Sequence, residues 1–249
     1  MVRGLERFRE FFADYSDRYV LIGGVAAYLS MEEAGQAFRA TRDLDIVLIV
    51  EALDSSFAAG FWDFVRHGGY RIRQRNDRPV FYRFTTPQDD SFPAQLELFS
   101  RSPSGIDLAE GATLSPLPVE EAVSGLSAIL LDDRYYDFLL GGIQQTDFIS
   151  HIGADRLIPL KAHAWLNLTQ QQSNGESVDS RNIRKHRNDI LSLSVLLAPR
   201  SIVLPQAIAE ELSRCLALLA EQSIEPATLG LNEELPAVLQ RIRQAFHLA

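Results

Sequence analysis

The sequence has one cysteine, no long apolar run and no excess of positive charge. A lone Cys215 cannot form an internal disulfide, which is typical of proteins from reducing compartments, and its Leu-rich helical surroundings predict a buried thiol. No apolar run approaches the roughly 20 residues of a membrane-spanning helix. The charged N-terminus lacks the apolar core of a signal peptide. We therefore expect a cytoplasmic protein with no membrane partner.

The composition is that of an ordinary globular protein. Of 249 residues, 46% are hydrophobic and 23% are charged, which excludes wholesale disorder, a collagen-like chain and a coiled-coil rod. The formal net charge of −9 argues against a protein that binds any nucleic acid, because such binding comes mainly from neutralising phosphates. A local basic groove on an acidic protein remains compatible with this balance.

Strand and helix patterns alternate over residues 1–148. The apolar run 19–23 predicts a strand that ends at Gly23 and Gly24, where a helix over 25–31 begins. The β-branched run 43–50 predicts a buried strand, and 53–68 predicts a helix. Alternating or aromatic patterns predict five further strands, over 70–75, 79–85, 94–99, 128–131 and 135–140.

The remainder of the chain, residues 149–249, has helical periodicity. Four helices are predicted, over 157–169, 181–197, 205–221 and 233–248. The sequence therefore predicts an α+β fold, with a small mixed sheet and flanking helices in residues 1–148, followed by a helical domain in residues 149–249.

Two aspartates and two glycines form the most informative pattern. Asp43 and Asp45 are two residues apart on a predicted strand, so their side chains share a face and repel each other unless a cation lies between them. Mg²⁺ suits this position because it binds one or two carboxylates together with substrate phosphates. Gly23 and Gly24 at a helix start leave backbone N–H groups accessible to phosphate. Together they predict a nucleoside-triphosphate site.

Each carboxylate also has an interpretation that involves no function. Two aspartates with this spacing are common and could be exposed strand charges, although Asp45 lies inside an apolar run where an unpaired carboxylate is costly. Glu97 is the candidate third carboxylate, on the face of an alternating strand opposite Leu96 and Leu98. It could equally be a solvent-facing residue, and Asp107 is a weaker rival.

These residues resemble the signature of the nucleotidyltransferase superfamily. Gly23-Gly24 is followed by Arg39-x-Thr41-x-Asp43-x-Asp45, and this lead-in resembles the AbiEii-type nucleotidyltransferases, which include toxins of toxin–antitoxin pairs. Two later helical segments, LIPLKAHAWLNL and RKHRNDILSLSVLL, are similar to the family's downstream segments. Lys161 and Asp189 match that family's functional lysine and aspartate.

The resemblance implies a role for each matched residue. Asp43, Asp45 and Glu97 would hold Mg²⁺, with glutamate standing where many relatives have aspartate. Gly23 and Gly24, together with Arg39 and Thr41 of the motif, would bind the nucleotide; Lys161 would neutralise triphosphate charge, and Asp189 would orient groups near it. From the residues alone, Lys161 could instead be a surface lysine and Asp189 could pair with Lys185. Val25 replaces the serine common after the glycines in the superfamily.

The acceptor is the least determined part of the prediction. One arginine cluster surrounds aromatic residues at 70–84 and another opens the predicted helix at 181; either is a plausible track for an RNA backbone or simply a solvated surface. Three functions stay open. The chain could be a toxin-like enzyme that transfers a nucleoside monophosphate from a triphosphate to RNA, such as a tRNA end, with an antitoxin protein as partner. It could modify a small molecule such as an aminoglycoside, or be a non-catalytic relative that acts as a binding partner.

Overall fold

A computed structural model describes residues 2–72, 82–101, 114–116, 127–199 and 202–248. The chain forms two compact units. The first comprises Met1–Leu29 and Ala37–Ile152, and the second comprises Ser30–Gln36 and Gly153–Ala249. The predicted domain boundary at 148/149 lies in a hairpin turn of the first unit, a few residues before the point where the units divide.

The first unit is built on a mixed sheet that contains nine strands among the described residues. Seven form a path in the order β3-β4-β5-β2-β1-β9-β8, while β7 pairs with both β5 and β6. The strands are β1 (Tyr19–Ile22), β2 (Asp43–Leu48), β3 (Arg71–Ile72), β4 (Arg83–Thr85), β5 (Gln95–Ser100), β6 (Leu114–Pro116), β7 (Ser127–Leu130), β8 (Ile143–Thr146) and β9 (Ile149–Ile152).

Within the described ranges, four α-helices accompany these strands. They are α1 (Leu5–Phe12), α2 (Gly23–Glu33, of which residues 30–33 belong to the second unit), α3 (Ser55–Gly68) and α4 (Asp133–Leu140). Helix α3 begins at the N-cap Asp54, whose side chain accepts a hydrogen bond from Phe57 N at 2.9 Å. Aromatic side chains of α1 and α3 pack together, as in the edge-on contact between Phe8 and Phe64.

The central strands have one apolar and one partly polar face. Leu44, Ile46, Leu96 and Leu98 are buried in the same core as the aromatic side chains of α1 and α3. Residues 43, 45, 95 and 97 alternate with them and are only half-buried. Because side chains alternate along a strand, the predicted carboxylates lie on the face opposite this aromatic core.

The mixed α+β prediction is confirmed for the described residues, with two corrections. Residues 135–140 were predicted as a strand but belong to helix α4, because Asp132 caps the helix and Tyr135, Tyr136, Phe138 and Leu139 are buried at helical spacing. The sheet is also larger than predicted, since the hairpin of β8 and β9 was not anticipated and β9 pairs in parallel with β1.

The second unit is helical. Its main helices are α5 (Ala154–Ser173), α6 (Ser180–Leu193), α7 (Gln206–Ala220) and α8 (Leu235–Ala245), which confirms the four predicted helices within a few residues at each end. The 3-10 turn Ser194–Leu196 follows α6. Cys215 is fully buried on α7, as predicted. None of the helices in the described ranges has the length and apolar character needed to cross a bilayer.

Candidate active site

Each of the two predicted aspartates on strand β2 lies opposite a polar residue of the neighbouring strand β5. In the parallel pair with β5, Asp43 lies opposite Gln95 and Asp45 lies opposite Glu97. Residues paired in this way point to the same side of a sheet. Asp43, Asp45 and Glu97 therefore share one face, as their positions in the sequence predicted.

Gly23 lies against the carboxylate of Asp45. It has a φ of +66°, which disfavours any side chain, and a Cβ built on it would collide with Asp45 Oδ2 and stand 2.9 Å from Cγ. Gly23 is also the first residue of α2, so the carboxylate lies at the positive end of a helix. The partial positive charge at this helix N-terminus stabilises the Asp45 carboxylate beside a buried strand.

Gly24 is approached by the two residues that precede the aspartates in the motif. A Cβ on Gly24 would stand 2.8 Å from Thr41 Oγ1 and 3.5 Å from Arg39 Nη2. Thr41 is buried, with 7% of its surface exposed. The structure thus brings Gly23, Gly24, Arg39, Thr41 and Asp45 together at one bend, where side chains occupy the space beside the glycines. Gly24 is buried and Gly23 is half-buried, so the glycine backbone is less open to phosphate than the sequence predicted.

Glu97 forms an ion pair with Arg83 across β4 and β5. The two residues are directly opposite in the antiparallel register, and Arg83 Nε contacts Glu97 Oε1. The Glu97 side chain is only 14% exposed, so the guanidinium compensates a carboxylate that has lost most of its water. This contact could not be predicted from the sequence, because it depends on the register between two strands.

The donor set is compatible with Mg²⁺ through Asp43 and Asp45. Carboxylate oxygens are the ligands that this ion prefers, and one or two of them suffice when substrate phosphates complete its shell. Within the described ranges, however, no three His, Cys, Asp or Glu side chains are gathered into a metal-binding group. Glu97 is held by Arg83 instead.

Lys161 and Asp189 form a buried ion pair in the second unit. Lys161 Nζ on α5 donates a hydrogen bond of 2.7 Å to Asp189 Oδ2 on α6, and the two side chains are 3% and 2% exposed. This answers the alternatives left open by the sequence: Lys161 is a buried residue rather than a surface one, and Asp189 pairs with it across the helices. Removing either partner would take this compensation away from a buried charge.

The first arginine cluster and Asp107 lie only partly within the residues that the structure describes. Arg71 is exposed on β3 opposite Thr85, which itself pairs with Gln95, so it lies on the same sheet face as Asp43. Three other arginines of the cluster around residues 70–84, Arg73, Arg75 and Arg78, lie outside the described residues, as does Asp107.

Comparison of the chain with protein-family models, with curated proteins and with solved structures finds no match.

Proposed function

We infer that this chain is a Mg²⁺-dependent nucleotidyltransferase of the AbiEii type, with a nucleotidyltransferase-like fold, that transfers a nucleoside monophosphate to RNA. The observation that carries the proposal is the arrangement around Asp45. Its carboxylate lies at the Gly23 bend and at the start of α2, while its strand neighbour is Glu97. A carboxylate pair beside a helix N-terminus suits a metal–triphosphate substrate.

The reaction is an in-line displacement at the α-phosphorus. A hydroxyl oxygen of the acceptor forms a bond to phosphorus, the bond to the bridging oxygen breaks, and pyrophosphate leaves. Asp43 and Asp45 would hold Mg²⁺, which stabilises negative charge on the phosphate oxygens when bound. Glu97 is the carboxylate proposed to accept the hydroxyl proton, and release from Arg83 would leave it free to do so.

The groups near Gly24 suit the phosphates. The guanidinium of Arg39 and the hydroxyl of Thr41 flank the first turn of α2 and can donate hydrogen bonds to phosphate oxygens. From the family resemblance, Lys161 would neutralise triphosphate charge and Asp189 would orient groups near it; the hydrogen bond between them is what supports the second role.

The decisive experiment incubates the purified protein with Mg²⁺, each labelled nucleoside triphosphate and a total tRNA pool. We expect label on RNA, and we expect Asp43→Asn and Asp45→Asn to abolish it. Asp90→Asn is the matched control, since that side chain is 96% exposed and lies outside the site. Transfer to a small amine or alcohol instead of RNA would favour the aminoglycoside-type function. No transfer to any acceptor, or full activity of Asp45→Asn, would contradict the proposal.

The toxin assignment has its own test. Expression of the wild-type chain should slow bacterial growth, expression of Asp45→Asn should not, and co-expression of a cognate antitoxin should relieve the effect. Equal growth with both chains would contradict a toxin role while leaving the transfer reaction open to the assay above.

A further inference from the structure

Helix α6 carries three arginines at a spacing of three residues. Arg181, Arg184 and Arg187 therefore follow one side of the helix, since residues three apart are surface neighbours. Arg181 is compensated: its guanidinium pairs with Asp179, the N-cap of the helix, at 3.0 Å. Arg181 therefore shows what a charge-paired arginine on this helix looks like, for comparison with Arg184 and Arg187.

Arg187 is half-buried, and in the described part of the chain its guanidinium is bonded to neutral groups. Its guanidinium donates two hydrogen bonds to Asn188 Oδ1, at 3.1 and 3.0 Å, and one to Gln222 Oε1 at 3.4 Å. Amide oxygens satisfy N–H donors but leave the positive charge uncompensated. The pKa of Arg187 is lowered, first by burial and then by the neighbouring charge of Arg184.

Arg184 adds a second uncompensated charge beside it. Its side chain is exposed, and among the residues that the structure describes neither Arg184 nor Arg187 forms an ion pair with a carboxylate. The whole chain has a net charge of −9, so acidic partners are abundant elsewhere. Two neighbouring arginines that repel each other in an acidic protein gain free energy when an anion binds between them.

We propose that Arg184 and Arg187 form a binding site for the phosphodiester backbone of an RNA substrate. The planar guanidinium binds phosphate oxygens through two parallel N–H donors, and Arg187 is held in place by its amide partners before RNA arrives. An exposed arginine next to a half-buried one that is already held in place suits a polymer that lies across the surface of the helix. The site rests on the proposed function, since it locates where the acceptor is held rather than where phosphorus is attacked.

The test measures RNA binding without chemistry. Fluorescence anisotropy of a labelled tRNA transcript is titrated with wild-type protein, R184Q/R187Q and the control R7Q/R66Q, over a series of salt concentrations and without nucleotide. The control removes the same charge from arginines that are paired within their own helices, Arg7 with Glu10 and Arg66 with Asp63. Thermal melting checks that each variant is folded.

We expect R184Q/R187Q to bind RNA roughly tenfold more weakly at low salt and to reduce the slope of log K against log salt by roughly 1–2, since two phosphate contacts are lost. The control should change neither value appreciably. A double variant that binds RNA like the control would overturn the site. So would an unchanged RNA affinity with weaker binding of inorganic triphosphate, because the arginines would then serve the nucleotide.

The two proposals fail in different assays. If wild-type protein transfers no nucleotide yet R184Q/R187Q loses RNA binding, the proposed reaction is wrong and the RNA site stands as a binding site. If RNA is modified and the double variant binds normally, the reaction stands and the assigned site is wrong.

Discussion

The carboxylate of Asp45 and the backbone of Gly23 are in direct contact, so the identity of one residue limits the other. A Cβ at position 23 would collide with Asp45 Oδ2 and stand 3.2 Å from Asp45 Cβ. The glycine is required both by this space and by a φ of +66°. The bend and the candidate metal ligand therefore form one structural unit.

Gly23→Ala should destabilise the fold and displace the Asp45 carboxylate. The left-handed conformation alone costs an alanine about 1–2 kcal/mol, and the collision adds to it. Gly35→Ala is the matched control, because Gly35 also has a φ of +66° but no neighbour within 4 Å of the added Cβ. Urea unfolding of both variants gives the difference between their free energies of unfolding. Equal losses of stability would contradict the contact.

Cys215 should be unreactive in the folded protein. Burial raises the pKa of its thiol to about 12, so the reactive thiolate is scarce and inaccessible on α7. A thiol reagent near pH 8 should label the protein only when urea unfolds it. Because the folded-state pKa is raised, the thiol's contribution to stability is present below its ordinary pKa of about 9 and declines as the pH rises towards 12. Rapid labelling without denaturant would contradict this.

The sequence predicted those parts of the site that depend on local pattern. Asp43 and Asp45 share a face because side chains alternate along β2, and Gly23 ends a strand that was visible as an apolar run. The contacts of Glu97 with Arg83 and of Lys161 with Asp189 were not predictable, since each joins elements whose pairing is decided by tertiary packing. Residues 135–140 were misassigned because five apolar side chains in six positions suit a strand as well as a helix.

The Arg83–Glu97 pair should contribute more to stability than a comparable pair with an exposed carboxylate. Arg83→Gln leaves a 14% exposed carboxylate without its cation, which we expect to cost roughly 1–3 kcal/mol. Arg101→Gln is the comparison, because Arg101 is equally exposed at 30% but its partners Glu51 and Asp137 are 47% and 70% exposed. The denaturant midpoints of the two variants, each compared with that of the wild-type protein, give the two losses of stability. A smaller loss for Arg83→Gln would show that Glu97 is stabilised by other groups.

Lys161 and Asp189 provide a test that separates structure from function. Lys161→Met takes the ammonium away from the buried Asp189 carboxylate, and Asp189→Leu takes the carboxylate away from the buried ammonium, so each should cost about 3–5 kcal/mol. The double variant removes both charges and should be far more stable than the sum of the single losses allows. If the pair only holds α5 to α6, nucleotide transfer should return with stability in the double variant. If Lys161 acts on phosphate as proposed, the double variant should be folded but should not transfer nucleotide. Transfer rates and urea unfolding curves of the three variants distinguish these outcomes.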